Sequence, residues 1–260
     1  MDTTATPEVS KSFGQTIRVK NLGVILRVHR RKKYLHRILR QINGFRSYGG
    51  PTITVLISCD RPTPAVAAEV VKQAEKFPEL MIQIWPSPRA IVSSEGLNWM
   101  PVLAEQYRQL LEIEGPPFDA CMLWDDDALF TRGAIVELRR HMKCLEYDRI
   151  DALSLFLWDT ARRVNTAFPT HWSACLFRVY EGDQFPTDFE VHCPRHCARS
   201  TNVAVLKNPW LNYGYMESEE RQRTFEDQKA AGKIDAHTLC LIRSPTLVPL
   251  DREYRNDRTA

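Results

Sequence analysis

The 260-residue chain predicts an α/β fold, a mainly parallel central sheet flanked by helices, continued by a less regular C-terminal half. Three observations carry that expectation. Four short apolar runs of strand type recur between residues 20 and 125. Between them lie amphipathic segments of helical period. Two helical segments open on a threonine placed to cap them.

Taken in order, LGVILRV (22–28) is the first strand. RRKKYLHRILRQI follows, with Tyr34, Leu35, Ile38, Leu39 and Ile42 on one helical face. The turn GFRSYGGP leads into the β-branched run TITVLIS (52–58). In TPAVAAEVVKQAEKF, Thr63 is the cap and Pro64 occupies the first turn. LMIQIW (80–85) is the third strand, NWMPVLAEQYRQLLEIE is mostly helical, and FDACMLW (118–124) is the fourth strand. TRGAIVELRRHMKCL (131–145) is a helix capped by Thr131. Beyond it DALSLFLW (151–158) and SACLFRVY (173–180) read as strands, separated by loops rich in Pro, Asp and Thr, and a polar helix covers roughly 216–231. The expected organisation is one domain over 1–260, with a nucleotide-binding-like half (about 20–130) and an acceptor-facing half (about 131–260).

Composition narrows the function classes. With 43% hydrophobic residues the chain can bury a proper core, and a formal net charge of +3 favours an anionic ligand only weakly. Seven cysteines, an odd number mostly inside apolar runs, point to reduced buried thiols rather than a disulfide framework. The first 15 residues have no apolar core of the signal-peptide kind, and they and the tail DREYRNDRTA are expected to be loose ends. No apolar run approaches the ~20 residues that cross a bilayer. A soluble cytoplasmic protein is the expectation.

Ligands of open α/β sheets bind outside the carboxyl ends of the strands. Here the first strand ends in RVHRRKK, the second in SCDRPTP and the fourth in WDDD. A dinucleotide fold or a P-loop needs glycines after the first strand, so that backbone can approach phosphates; HRRKK has none. Both readings fall. Three adjacent aspartates repel one another, and a hard divalent cation would relieve that repulsion. Magnesium and manganese take oxygen ligands and keep substrate phosphates in their shell. A solvated turn, in which Asp is common, is the other reading of the same letters.

With these residues quoted, the chain resembles the GT-A glycosyltransferases, in particular the family 2 type, over most of residues 20–235. The resemblance rests on GVILRVHRR, the acid after the second strand in SCDRP, the DxD-type LWDDDALF and the later LNYGYMESEERQRTFED. The last piece is similar to a segment that reads His-Tyr-Gly-Tyr in some members; Asn212 stands where their histidine would be. The resemblance implies a nucleoside-diphosphate sugar as donor and Mn2+ or Mg2+. It implies that Asp125 touches the donor's ribose or sugar, that Asp125 and Asp127 hold the metal, that Asp60 meets the nucleobase and that Arg27 lines the donor pocket. Asp126 lies between and serves either role.

Inverting members need a carboxylate base to take the acceptor's proton as its oxygen attacks the anomeric carbon. FPTDFEVHCP (185–194) is similar to the segment where some relatives carry a His-Glu pair, which makes Glu190 the first candidate and Asp188 the second. Glu217, Glu219 and Glu220 are further carboxylates, on a helix whose polarity suits a solvated face. His192, Cys193, His196 and Cys197 have zinc-ligand chemistry, in a spacing that matches no familiar site. His237 is read as a core histidine or a late metal ligand. Of the tryptophans, Trp99, Trp124 and Trp210 read as core; Trp158 and Trp172 read as core or as the floor of an acceptor site.

Between residues 27 and 46 stand Arg27, Arg30, Arg31, Lys32, Lys33, Arg37, Arg40 and Arg46, with no acid. This segment reads as a solvated helix face, a donor-diphosphate contact or a nucleic-acid interface. The expected acceptor is therefore a saccharide, a small molecule or a hydroxymethylated base in DNA. The last is the substrate of viral DNA-modifying glycosyltransferases, and would place the protein in a host cytoplasm. Two other classes remain in view: a nucleotidyltransferase, and a catalytically inactive nucleic-acid-binding protein of the same fold.

Overall fold

The chain is described here from a computed structural model, for residues 15–28, 33–60, 62–87, 91–93, 96–98, 100–159, 164–168, 171–180, 182, 202–213, 219, 221–222, 225–226, 229 and 246–249. β1 (Asn21–Val28), β2 (Thr52–Cys59), β3 (Met81–Pro86) and β6 (Ala120–Asp125) are the four runs expected as strands. They pair in parallel in the order β6-β1-β2-β3. Parallel neighbours need a crossover, and helices supply it. α1 (Leu35–Gly44) and α2 (Pro64–Ala74) lead to β2 and β3, and α3 (Met100–Leu111) leads to β6 after the hairpin β4 (Ile91–Ser93) and β5 (Gly96–Asn98). Thr63 caps α2 with its hydroxyl accepting from Val66 N, and Thr131 caps α4 (Arg132–Lys143) by accepting from Ala134 N.

Beyond α4 the links from β8 to β9 and from β9 to β10 are too short for crossover helices, and there the sheet turns antiparallel. β8 (Arg149–Asp159) pairs with β9 (Val164–Phe168) and β10 (His171–Arg178), and β10 pairs back onto β6. β13 (Thr246–Pro249) closes that edge against β9. The short strands β11 (Val203–Val205) and β12 (Trp210–Asn212) run parallel to β8, and β12 also pairs with β7 (Ala128–Phe130). Among the described residues these form one eleven-stranded mixed sheet. Residues 219, 221–222, 225–226 and 229 are helical, within the late polar helix that the sequence predicts. No helix among the described residues is long and apolar enough to cross a membrane.

Alternation along the parallel strands sends side chains to two layers. Val24, Leu26, Val55 and Ile57 pack under α1, α2 and α4, and Ile25, Leu56 and Leu123 pack under α3. α1 meets the sheet through Leu35, Ile38, Leu39 and Ile42, the stripe read from the sequence; Tyr34, buried in the same core, stands at the N-cap position just before the helix. One buried polar residue on that stripe, Gln41, answers both backbone groups of Phe130. Its Nε2 donates to Phe130 O at 2.8 Å and its Oε1 accepts from Phe130 N at 3.0 Å. A buried amide left unpaired costs about 1–3 kcal/mol. Gln41 therefore pins β7, the short strand just after the three aspartates, to α1.

Candidate active site

The carboxyl ends of β6, β1, β2 and β3 stand side by side. In register, Asp125 lies opposite Arg27, Arg27 opposite Ser58, and Ser58 opposite Trp85. Arg27 and Asp125 form a partly buried ion pair. Arg27, next to last in β1, sets its guanidinium against the first aspartate. Ser58 is held from below by the α3 layer: Gln106 Nε2 donates to Ser58 Oγ at 2.7 Å and to Ser87 Oγ at 3.2 Å. The sequence reading missed this pair. The available signal was a glutamine on the buried stripe of α3, next to Leu103 and Tyr107.

Asp126 and Asp127 form the turn between β6 and β7, and both are buried, at 6% and 9% exposure. Three contacts close that turn. The Trp124 indole N–H donates to Ala128 O at 2.7 Å, and Tyr213 N donates to Asp127 O at 2.7 Å. Asn212 pairs with Ala128 across the antiparallel β7–β12 ladder. The Asn212–Tyr213 segment, matched in the sequence only by resemblance, thus lies beside the aspartates. The Tyr213 ring is 4.7 Å from the Tyr34 ring, and the Arg37 guanidinium lies 6.0 Å from the Tyr213 ring centre.

Asp60 follows β2 and is half-buried, and its N–H donates to Val28 O at 2.9 Å, which ties the ends of β1 and β2. So Arg27, Asp60, Asp125, Asp126 and Asp127 all lie at one end of the parallel strands. Glu190, Asp188, Glu217, Glu220, His192, Cys193, His196, Cys197 and His237 fall outside the described residues, as do Arg30, Arg31, Lys32 and Trp99. Nothing is described of the side chains of Trp158 and Trp172. Glu219 is exposed, and Trp124 and Trp210 are core.

The oxygen-only donor set of the aspartate turn suits a hard cation. Among the described residues no three His, Cys, Asp or Glu side chains come together as a complete ligand shell.

Asp126 also acts on Cys59 at the end of β2. Burial first, and the Asp126 carboxylate second, push the Cys59 thiol up to about 11. Burial likewise raises the Cys175 thiol, with Asp151 adding to it. Cys59, Cys121, Cys144 and Cys175 are free; Cys144 is exposed, whereas the other three are buried as expected. A thiol reacts as thiolate, and a group titrating near 11 is thiolate in about one molecule in a thousand at pH 8. Of these four, alkylation at pH 8 should therefore modify Cys144 first, with Cys59, Cys121 and Cys175 labelled only on unfolding. Peptide mass spectrometry after a timed iodoacetamide pulse checks this, and early labelling of Cys59 would contradict it.

The structure is similar to that of the mannosyltransferase PcManGT from Pyrobaculum calidifontis in complex with GDP-Man and Mn2+. The TM-score is 0.50 with 17% identity, over 85% of this chain and 66% of that one. The fold is of the GT-A type. Residues 1–349 of S. aureus TarS match at a TM-score of 0.45 with 10% identity, over 85% of this chain and 69% of that one; this likeness is too remote to carry weight. No protein-family model matches the sequence and no curated protein is significantly similar to it. The end of the sheet holding Arg27 and the aspartates is the carboxyl end of the parallel strands, where ligands of open α/β sheets bind, and the α1–β2 loop lies at the opposite end.

Proposed function

We propose that the protein is a metal-dependent glycosyltransferase that moves a sugar from a nucleoside diphosphate to an acceptor hydroxyl with inversion. The observation that carries this reading is the joining of Arg27 to Asp125 at adjacent strand ends, beside a buried aspartate turn held by Trp124 and Tyr213. The mannosyltransferase of similar fold, in complex with GDP-Man and Mn2+, supports the choice of donor class and cation.

On this reading Asp127, with Asp125, holds a Mn2+ or Mg2+ ion, which when bound would neutralise the diphosphate leaving group. Asp125 also meets the donor's ribose or sugar, with Arg27 fixing its orientation. Asp60 faces the nucleobase, and Asp126 keeps the turn anionic from within. Glu190 takes the acceptor's hydroxyl proton, with Asp188 the alternative base. The acceptor oxygen forms its bond to the anomeric carbon as the bond from that carbon to the diphosphate breaks, and the electron pair leaves with the diphosphate. For the acceptor, the run of basic residues from 27 to 46 favours a hydroxymethylated base in DNA over a free saccharide. A base inside a duplex would be flipped out to reach the site.

A thermal-shift panel of UDP, GDP and their sugar conjugates, with and without Mn2+, tests the donor site. At about a hundred times its Kd the right donor should raise Tm by about 5–10 °C, and should need the metal to do so. Absence of metal-dependent stabilisation by every nucleotide would overturn the donor reading.

A further inference from the structure

We infer that the recess at the opposite end of the sheet from the aspartates is a second, anion-binding site that holds a single nucleic-acid strand. This deepens the nucleic-acid acceptor reading but stands on different residues. From Asn21 to Arg27 β1 rises about 20 Å, so a ligand here is remote from the donor end.

The recess has a volume of about 260 Å³ and is framed by the segment before β1, the α1–β2 loop and the last turns of α4. Arg18, Arg139, Arg140 and Lys143 line it, and no acid does. Two of these cations are pre-oriented: Arg18 donates to Gly49 O at 2.7 Å and Arg139 to Gly44 O at 2.5 Å. The Arg139 Nε atom is buried and has no hydrogen-bond partner among the described residues. Arg140 and Lys143 are exposed. α1 contains no acid. The single acid of α4, Glu137, is engaged by Lys207 N and Asn208 Nδ2. Cations in the last turn of a helix also answer its dipole. That accounts for Arg140 and Lys143, but not for Arg18, which comes from another segment.

Tyr48 decides the class of anion. It lines the recess, is 89% exposed and has φ 59, the one positive φ at a non-glycine among the described residues. An L side chain is disfavoured there, and a ring this exposed returns no packing energy to the fold. What it does offer is a flat face beside a line of cations, the pairing of stacking platform and phosphate contacts that binds a nucleic-acid strand. A bilayer cannot enter a recess.

Fluorescence anisotropy with a fluorescein-labelled, unmodified single-stranded DNA of about 20 nucleotides tests the site, using the full chain without donor. Binding should fall steeply between about 50 and 200 mM salt, and the Arg140→Glu, Lys143→Glu double variant should weaken it at least about tenfold. Tyr48→Gly removes the ring and relieves the backbone, so it should weaken binding about three- to tenfold while Tm stays level or rises. No binding, equal binding by both variants, or preference for phosphatidylserine vesicles over the oligonucleotide would overturn the inference. Each of these outcomes leaves the metal-dependent donor shift intact, so this site and the donor reading fail separately.

Discussion

Asp127→Asn should lower glycosyl transfer by about a hundred- to a thousandfold in kcat, the usual size when one group that stabilises transition-state charge is removed. The substitution keeps shape and volume. It removes one negative charge from a turn in which Asp126 and Asp127 are both buried and Asp125 is paired with Arg27. The fold should tolerate it, since the bond from Tyr213 N to the Asp127 carbonyl is retained. Loss of like-charge repulsion should leave Tm level or raised. The metal-dependent part of the donor's thermal shift should vanish with turnover, while the oligonucleotide affinity of the remote recess stays at its wild-type value. A variant with wild-type turnover would show that Asp127 holds no metal. A wild-type protein that binds DNA and turns over no donor, before or after substitution, would favour the inactive binding protein.

Trp124→Ala carries the largest expected cost in stability. The indole is fully buried, lies edge-on to Phe130 at 4.8 Å and to Phe45 at 6.5 Å, and donates to Ala128 O. Truncating a buried aromatic costs about 3–5 kcal/mol, and the orphaned Ala128 carbonyl adds about 1–3 kcal/mol. Domains of this kind have a total of about 5–15 kcal/mol, so the variant should be largely unfolded or melt far below the wild type in a denaturant titration. Trp124→Phe separates packing from tethering. It retains most of the ring and loses the N–H, so it should stay folded at a cost of about 1–2 kcal/mol, with reduced turnover because the aspartate turn loses one of its ties. Wild-type stability and turnover in Trp124→Phe would contradict the tether.

Much of the first half was legible in the sequence. Period-2 and period-3.6 patterns depend on side chains a few residues apart, and so do the caps at Thr63 and Thr131; all of these appear at the expected places. The position of the aspartates at a strand end, and the missing glycines after β1, are local facts of the same kind. In the later half β8 and β10 were legible as well, but the short strands with distant partners were not. β7, β11 and β12 have three residues each, too few to show a period.

What only the tertiary structure decided is which distant residues meet. Arg27 and Asp125 are 98 positions apart, Gln41 and Phe130 are 89 apart, and Tyr213 reaches Asp127 only because β12 pairs with β7. The antiparallel turn of the sheet after α4 was decided there as well. The physical reason is common to all of them. Backbone hydrogen bonds between strands are alike whatever the side chains, so the sequence constrains strand existence more tightly than strand partnership. The partnership is set by which faces can be buried together, and that is a property of the assembled layers.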